Sequence, residues 1–235
     1  MYGYRYYWGF DWTYLLLVIG MLLSLAASAK VKSTFAAYKR VRSASGLTGA
    51  MAAQKILYAA GITDVQITRV SGSLTDHYDP RNKTLALADE VYGSTSLAAV
   101  GVAAHECGHA IQHDTGYAPL EFRSAIVPVA NIGAQLSWPL FVAGLIFSIQ
   151  PLLTLGIILF SLAVLFQLVT LPVEINASSR ALNNLQSLGI LGQNEIRGAR
   201  KVLSAAALTY VAALASSILQ LLRLVILAGG RRRDD

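Results

Sequence analysis

A chain of 235 residues that is 54% hydrophobic and only 14% charged is too apolar for an ordinary soluble domain, in which about 25% of residues are charged. Its net charge of +6 does not point to nucleic acid, because the basic residues gather beside apolar stretches, as they do in membrane-flanking segments. A single cysteine, Cys107, excludes an internal disulfide and reads as a small buried side chain.

Residues 12–29 carry no charge between Asp11 and Lys30, and Tyr6, Tyr7, Trp8 and Trp12 gather at their front. This is long enough to span a bilayer, with an aromatic belt at one interface. Ala26-Ala27-Ser28-Ala29 resembles a signal-peptide cleavage site. Against that reading, the leading segment is aromatic more than basic, and the positive charges follow the span. Residues 1–30 therefore read as an uncleaved transmembrane anchor. Only Arg5 precedes it, whereas Lys30, Lys32, Lys39, Arg40 and Arg42 follow, which places the N-terminus outside and residues 31–123 in the cytoplasm.

Within 31–123, residues 44–60 read as a helix. Ser45 or Thr48 can cap it, Ala52, Ile56, Leu57 and Ala60 share one side, and Gly61 stops it. Val65 to Val70 alternates apolar and polar residues as a strand does, Ser71-Gly72-Ser73 turns, and Leu74–Tyr78 and Lys83–Leu87 read as two further strands around Asp79-Pro80-Arg81-Asn82. A small antiparallel sheet is expected. Its edge, assigned to Thr84–Ala88, can pair with an extended peptide unless another element covers it.

The apolar run Leu97–Ala104 ends in His105-Glu106-Cys107-Gly108-His109, an H-E-x-x-H pattern. Ser94-Thr95-Ser96 offers N-caps and Thr115-Gly116 a stop, so the pattern falls on a helix, where residues four apart share a face. Both imidazoles can then face one metal ion, and Glu106 can act as a base on a water there. The alternative is a helix whose two histidines are hydrogen-bonded in a core. His113 lies one turn further on, but three successive turns of a straight helix do not converge on one ion, so it reads as a surface or supporting residue. His77, in the hairpin, is a candidate for binding substrate or polarising its carbonyl; the alternative is a solvated side chain.

From Ser124 to Val173 there is no charged side chain. Two transmembrane helices fit, over 124–148 and 151–171, turned at Gln150-Pro151. The next segment, 172–202, opens with Glu174 in a helix expected over Glu174–Leu188 after Pro172. A carboxylate at the membrane boundary needs a partner, and a catalytic zinc needs a third protein ligand, so Glu174 is the candidate, with Ser178 one turn later able to hydrogen-bond a ligating histidine. The competing reading of Glu174 is a helix-start glutamate favoured by the macrodipole. The last segment, 203–235, is an apolar helix with a basic tail. It either spans, with Arg223 snorkelling, or packs on the catalytic unit, and Arg231-Arg232-Arg233 speak against spanning.

His105 to Gln112, the upstream Tyr78-Asp-Pro-Arg-Asn-Lys83, Leu171 to Leu182 and Ala205 to Ala212 together resemble the YugP-like membrane zinc metallopeptidases, over most of the chain. The chain is more distantly similar to HtpX-like membrane peptidases, whose ligand helix reads Glu-x-x-Ala-Asp. Glu174, Ala177 and Ser178 stand at those positions, with Ser in place of Asp. The resemblance implies zinc-dependent peptide hydrolysis at a membrane.

The expected architecture is α+β and predominantly helical, a membrane-embedded zincin-like (gluzincin) metallopeptidase with three or four transmembrane helices. His105, His109 and Glu174 are expected to hold one zinc ion and Glu106 to act as the base. Tyr210, or less readily His77, would supply a donor to the oxyanion. A polypeptide substrate and the lipid bilayer are the expected partners, with a membrane-protein partner or a homo-oligomer left open. The alternative is a non-catalytic zinc-binding membrane scaffold, for which Glu106 would have no purpose. A transporter would need ionisable groups inside the spans, and the 124–173 stretch has only Asn131, Gln135, Gln150 and Gln167.

Overall fold

The computed structural model describes residues 11–231. Arg5, the aromatic front Tyr6, Tyr7 and Trp8, and the tail residues Arg232 and Arg233 lie outside the described residues. The chain order is α1 (Tyr14–Tyr38), α2 (Gly49–Ala59), β1 (Gln66–Val70), β2 (His77–Asp79), β3 (Thr84–Ala88), α3 (Asp89–Tyr92), α4 (Leu97–Asp114), α5 (Ala118–Phe147), α6 (Gln150–Ser187) and α7 (Gln193–Arg231).

Four helices are long and apolar enough to cross a membrane: α1, α5, α6, and α7 as far as Gly229. They turn large apolar side chains outward, among them Leu22, Leu25, Ile132, Ile158, Leu168 and Val225. Lipid can cover such a surface, whereas in water it would cost free energy. Helices α1 and α7 pair antiparallel: Ser24 Oγ lies 3.1 Å from Ser216 Oγ at one level, and Gly198 faces the Tyr38 ring at the other. Arg223 does not snorkel. It is buried, with its guanidinium carbon 4.7 Å from the centre of the Tyr14 ring, a contact that offsets part of the cost of burying the charge.

Helix α4 runs through the core. Ala98, Ala99, Ala103, Ala104, Cys107 and Ala110 are buried on its several faces, and small side chains let its neighbours approach closely. The tightest contact is with α6, where a Cβ added to Gly108 would stand 2.4 Å from the Ala177 carbonyl oxygen. Gly108→Ala must therefore push the two helices apart, and it is expected to lower stability by about 1–3 kcal/mol. Thermal unfolding of the detergent-purified protein measures this; an unchanged melting temperature would show that α4 and α6 can separate without cost.

The capping residues behave as their chemistry predicts. Thr48 Oγ1 accepts from Met51 N at 3.2 Å at the start of α2, so this helix begins at Gly49, inside the expected 44–60. Ser96 Oγ accepts from Ala99 N at 3.2 Å at the start of α4. Gly61 and Gly116, at φ +76° and +57°, take the left-handed conformation just past α2 and α4.

Three expectations need correction. The sheet is mixed and not antiparallel, in the order β1-β3-β2, with β1 parallel and β2 antiparallel to β3. Between β1 and β2, Gly72 and Leu74 have positive φ, and the chain returns on the far side of β3. Second, Thr84–Ala88 is the central strand, not an edge. Leu85, Ala86, Leu87 and Ala88 are all buried, so both faces of β3 are covered, which fits a strand flanked on both sides better than one that alternates towards water. Third, no helix begins after Pro172. Helix α6 runs continuously from Gln150 to Ser187 with Pro172 inside it. The missing backbone donor is tolerated because Val173, Glu174, Ala177, Ala181 and Leu185 form a buried stripe that holds the helix together beyond it. The turn between α5 and α6 falls at Ser148-Ile149, beside the expected Gln150-Pro151.

Candidate metal centre

The two histidines of α4 and the glutamate of α6 meet at one point. His105 Nε2 lies 3.3 Å and His109 Nε2 3.5 Å from Glu174 Oε2. Atoms bound tetrahedrally to one zinc at about 2.0–2.1 Å stand about 3.3–3.4 Å apart, so these edges match that polyhedron. The rings are nearly perpendicular, at 85°, which lets two residues one turn apart aim their nitrogens at a common point. Glu174 Oε2 is buried, and although both Nε2 atoms face it, no donor meets it in hydrogen-bond geometry. An unpartnered buried carboxylate oxygen is costly, and a cation between the three atoms removes that cost. Of the described residues, these three make the one group of histidine, cysteine or acidic side chains with metal-ligand spacing.

Each imidazole is fixed from behind. Ser178 Oγ sits 3.1 Å from His105 Nδ1, as expected from its place one turn after Glu174. His109 Nδ1 donates to Gln112 Oε1 at 3.0 Å, and the Gln112 amide nitrogen donates in turn to Val173 O at 2.8 Å and Asn176 Oδ1 at 3.0 Å. With both Nδ1 atoms engaged in this way, the Nε2 lone pairs are left for a ligand. Gln112→Ala should therefore lower zinc affinity by about 10–100-fold, read by competition with a chromogenic chelator; an unchanged affinity would remove Gln112 from the support of His109.

Burial disfavours the charged form of His109, but the Glu174 carboxylate against Nε2 outweighs it and raises the imidazole pKa. A metal ion held there would compete with a proton for the same nitrogen, so acid should weaken its binding. Cys107 points away from the centre, donating to Ala53 O at 3.6 Å; burial pushes its thiol pKa up, so it is inert packing.

The three atoms open into a cleft of about 320 Å³. Glu106, buried at 7% exposure, lines it beside the histidines, and so do Tyr210 from α7, beside Glu174, and His77 and Tyr78 from β2. His77 is exposed, with its Nδ1 2.9 Å from Thr75 O, so it sits at the mouth and is already engaged there. His113 is not at the centre: its Nδ1 pairs with the Tyr78 hydroxyl at 2.9 Å.

Two charged groups in the cleft were not anticipated from sequence. Arg123, on α5, places Nη1 3.7 Å from Glu174 Oε1 and lies over the Phe166 ring. The signal was present: Arg123 is the last charge before the uncharged stretch and Glu174 the first after it, and a helical hairpin brings its two ends to one level. Asp76, just before β2, accepts from Ala88 N through Oδ1 at 2.8 Å and keeps Oδ2 buried without a partner. Burial raises its carboxyl pKa, and the nearby Glu106 raises it further.

Comparison with known proteins agrees with this geometry. The family described as "Putative neutral zinc metallopeptidase" matches residues 13–229. A protein of Bacillus subtilis (strain 168), "Putative membrane protease YugP", is 48% identical over 212 residues, covering 90% of this chain and 94% of the relative. No solved structure matches.

Proposed function

The chain belongs to the neutral zinc metallopeptidase family whose model spans it, and on that premise we propose that it is a membrane-bound zinc endopeptidase that cuts membrane or membrane-proximal polypeptides. The observation that carries this is the convergence of His105 Nε2 and His109 Nε2 on the unpartnered Glu174 Oε2, beside the carboxylate of Glu106. Two histidines of an H-E-x-x-H helix with a glutamate from a later helix make a gluzincin ligand set, and three protein ligands leave a position for chemistry. Zinc bound there supplies a Lewis acid that acidifies water and polarises a carbonyl.

The side chains do the rest. Glu106 accepts the proton of the attacking water and returns it to the leaving amine. Tyr210, whose phenol lines the cleft, donates to the oxyanion that forms at the scissile carbonyl. β2 is an edge strand and lines the cleft, so an extended substrate can pair with it, the role first expected of Thr84–Ala88. The Lys and Arg residues from Lys30 to Arg42, in the last turns of α1 and just after it, support a site on the cytoplasmic side.

Casein hydrolysis by the detergent-purified protein tests the proposal. A chelator should abolish cleavage and added zinc should restore it; cleavage that persists after the metal is stripped would refute a zinc mechanism. Tyr210→Phe should lower kcat by about 100-fold with little change in KM, and unchanged kinetics would dismiss Tyr210 as the donor.

A further inference from the structure

Away from the cleft, a cavity of about 640 Å³ opens between α1 and α7. Lys30 lines it from α1, Arg200 and Lys201 from α7, with the hydroxyls of Ser33, Tyr38 and Ser204 around them. None of the three cations has an ion pair among the described residues. Glu195, in the first turn of α7, accepts from Ala44 N and Gly192 N, and Glu90, on α3, pairs with Lys39 just past α1.

The level of this cavity matters. On α1 the apolar run ends at Ala29 and Lys30 is the first charge after it; on α7 the apolar run begins at Leu203, just after Arg200 and Lys201. Because the two helices are antiparallel, the two boundaries fall at the same end of the pair, about six residues or ~9 Å apart along the axis, an offset that the long side chains of Lys30, Arg200 and Lys201 can span at the headgroup level. A second groove, of about 380 Å³, adjoins it between α6 and α7 and shares Arg200, Ser204 and Leu208. Its walls include Ile175, Leu182, Leu203 and Val211, with Ile175 and Val211 exposed. A cationic, hydroxyl-lined cavity joined to an apolar groove matches a molecule with an anionic head and an apolar tail.

We propose that this chain binds one anionic phospholipid, with its phosphate held by Lys30, Arg200 and Lys201 between α1 and α7 and an acyl chain lying in the groove between α6 and α7. The phosphate accepts hydrogen bonds from the guanidinium and the two ammonium groups. The tail covers apolar surface at Ile175, Leu208 and Val211 that the fold leaves open. Free phosphate would satisfy the head and leave the groove uncovered. The head site shares no lining residue with the metal cleft, whereas the groove also takes in Ser178, the hydrogen-bonding neighbour of His105.

The test is titration of the full-length, detergent-purified protein with phosphatidylglycerol and, separately, phosphatidylcholine, followed by native mass spectrometry. One phosphatidylglycerol per chain should bind saturably and phosphatidylcholine should not. At roughly 1 kcal/mol for each basic residue near the headgroup, Arg200→Gln should weaken phosphatidylglycerol about fivefold and the triple change Lys30→Gln, Arg200→Gln, Lys201→Gln about a hundredfold. Arg197→Gln removes the same charge outside the cavity and should leave affinity unchanged. Inorganic phosphate should not displace the lipid, and Val211→Ser should weaken it with no change of charge. Equal affinity for the two lipids, an unaltered affinity in Arg200→Gln, or displacement by inorganic phosphate would each overturn the proposal. If the triple variant does not fold, Arg200→Gln decides the question alone.

Discussion

Glu174→Ala is expected to empty the metal centre while leaving the helices in place. The glutamate is the one member of the cluster that α4 does not supply, and its side chain is 3% exposed between two imidazoles at 3.3 and 3.5 Å. Without it two nitrogens remain, one short of the three protein ligands of a catalytic zinc, and Arg123 is left 3.7 Å from a carboxylate that no longer exists. An uncompensated guanidinium beside the ion would repel it, which makes the loss larger than that of a ligand alone. Metal analysis after dialysis should fall from about one zinc per chain to below about a tenth, with unchanged helicity by circular dichroism. Glu174→Gln keeps the shape and removes the charge, so it should fall between the two. Full zinc occupancy in Glu174→Ala would show that the carboxylate is not a ligand.

The site was legible wherever it depended on local periodicity or on charge against an apolar background. The four-residue spacing of His105 and His109 fixes a shared helical face whatever the rest of the chain does. Glu174 stood out because it closes a stretch without charge, and its hydrogen-bonding neighbour Ser178 follows from one helical turn. Arg123 opens the same stretch and could have been found by the same reasoning. Gln112 was open to the same reasoning, because a residue three after His109 on one helix is positioned to reach its ring.

What escaped depended on pairing across distance. Alternation along 65–70 identifies a strand and says nothing about its neighbour. The parallel pairing of β1 with β3 therefore could not be read, nor the resulting central place of Thr84–Ala88. The buried run Leu85 to Ala88 was the clue, because a strand apolar at consecutive positions has both faces covered. Pro172 misled for a related reason: local preference ends a helix there, and packing of α6 on α4 overrides it. Asp76 enters the cleft only because β2 flanks α4, a tertiary fact.

The catalytic claim rests on Glu106. Its carboxylate is buried in the cleft next to both histidines, and burial excludes a role in solubility. Glu106→Gln is nearly isosteric and keeps both imidazoles and the helix, so it should leave zinc content intact while removing the base. General acid–base catalysis is worth about 10²–10⁴-fold, and a residue that serves both proton transfers should stand near the upper end, about 5 kcal/mol of barrier. The decisive measurement is casein hydrolysis by the zinc-loaded parent and by Glu106→Gln, each with its metal content determined. Cleavage by the parent and a loss of at least about 10³-fold in the variant, at equal zinc, is the expected result; equal cleavage by both would contradict a peptidase built on this centre.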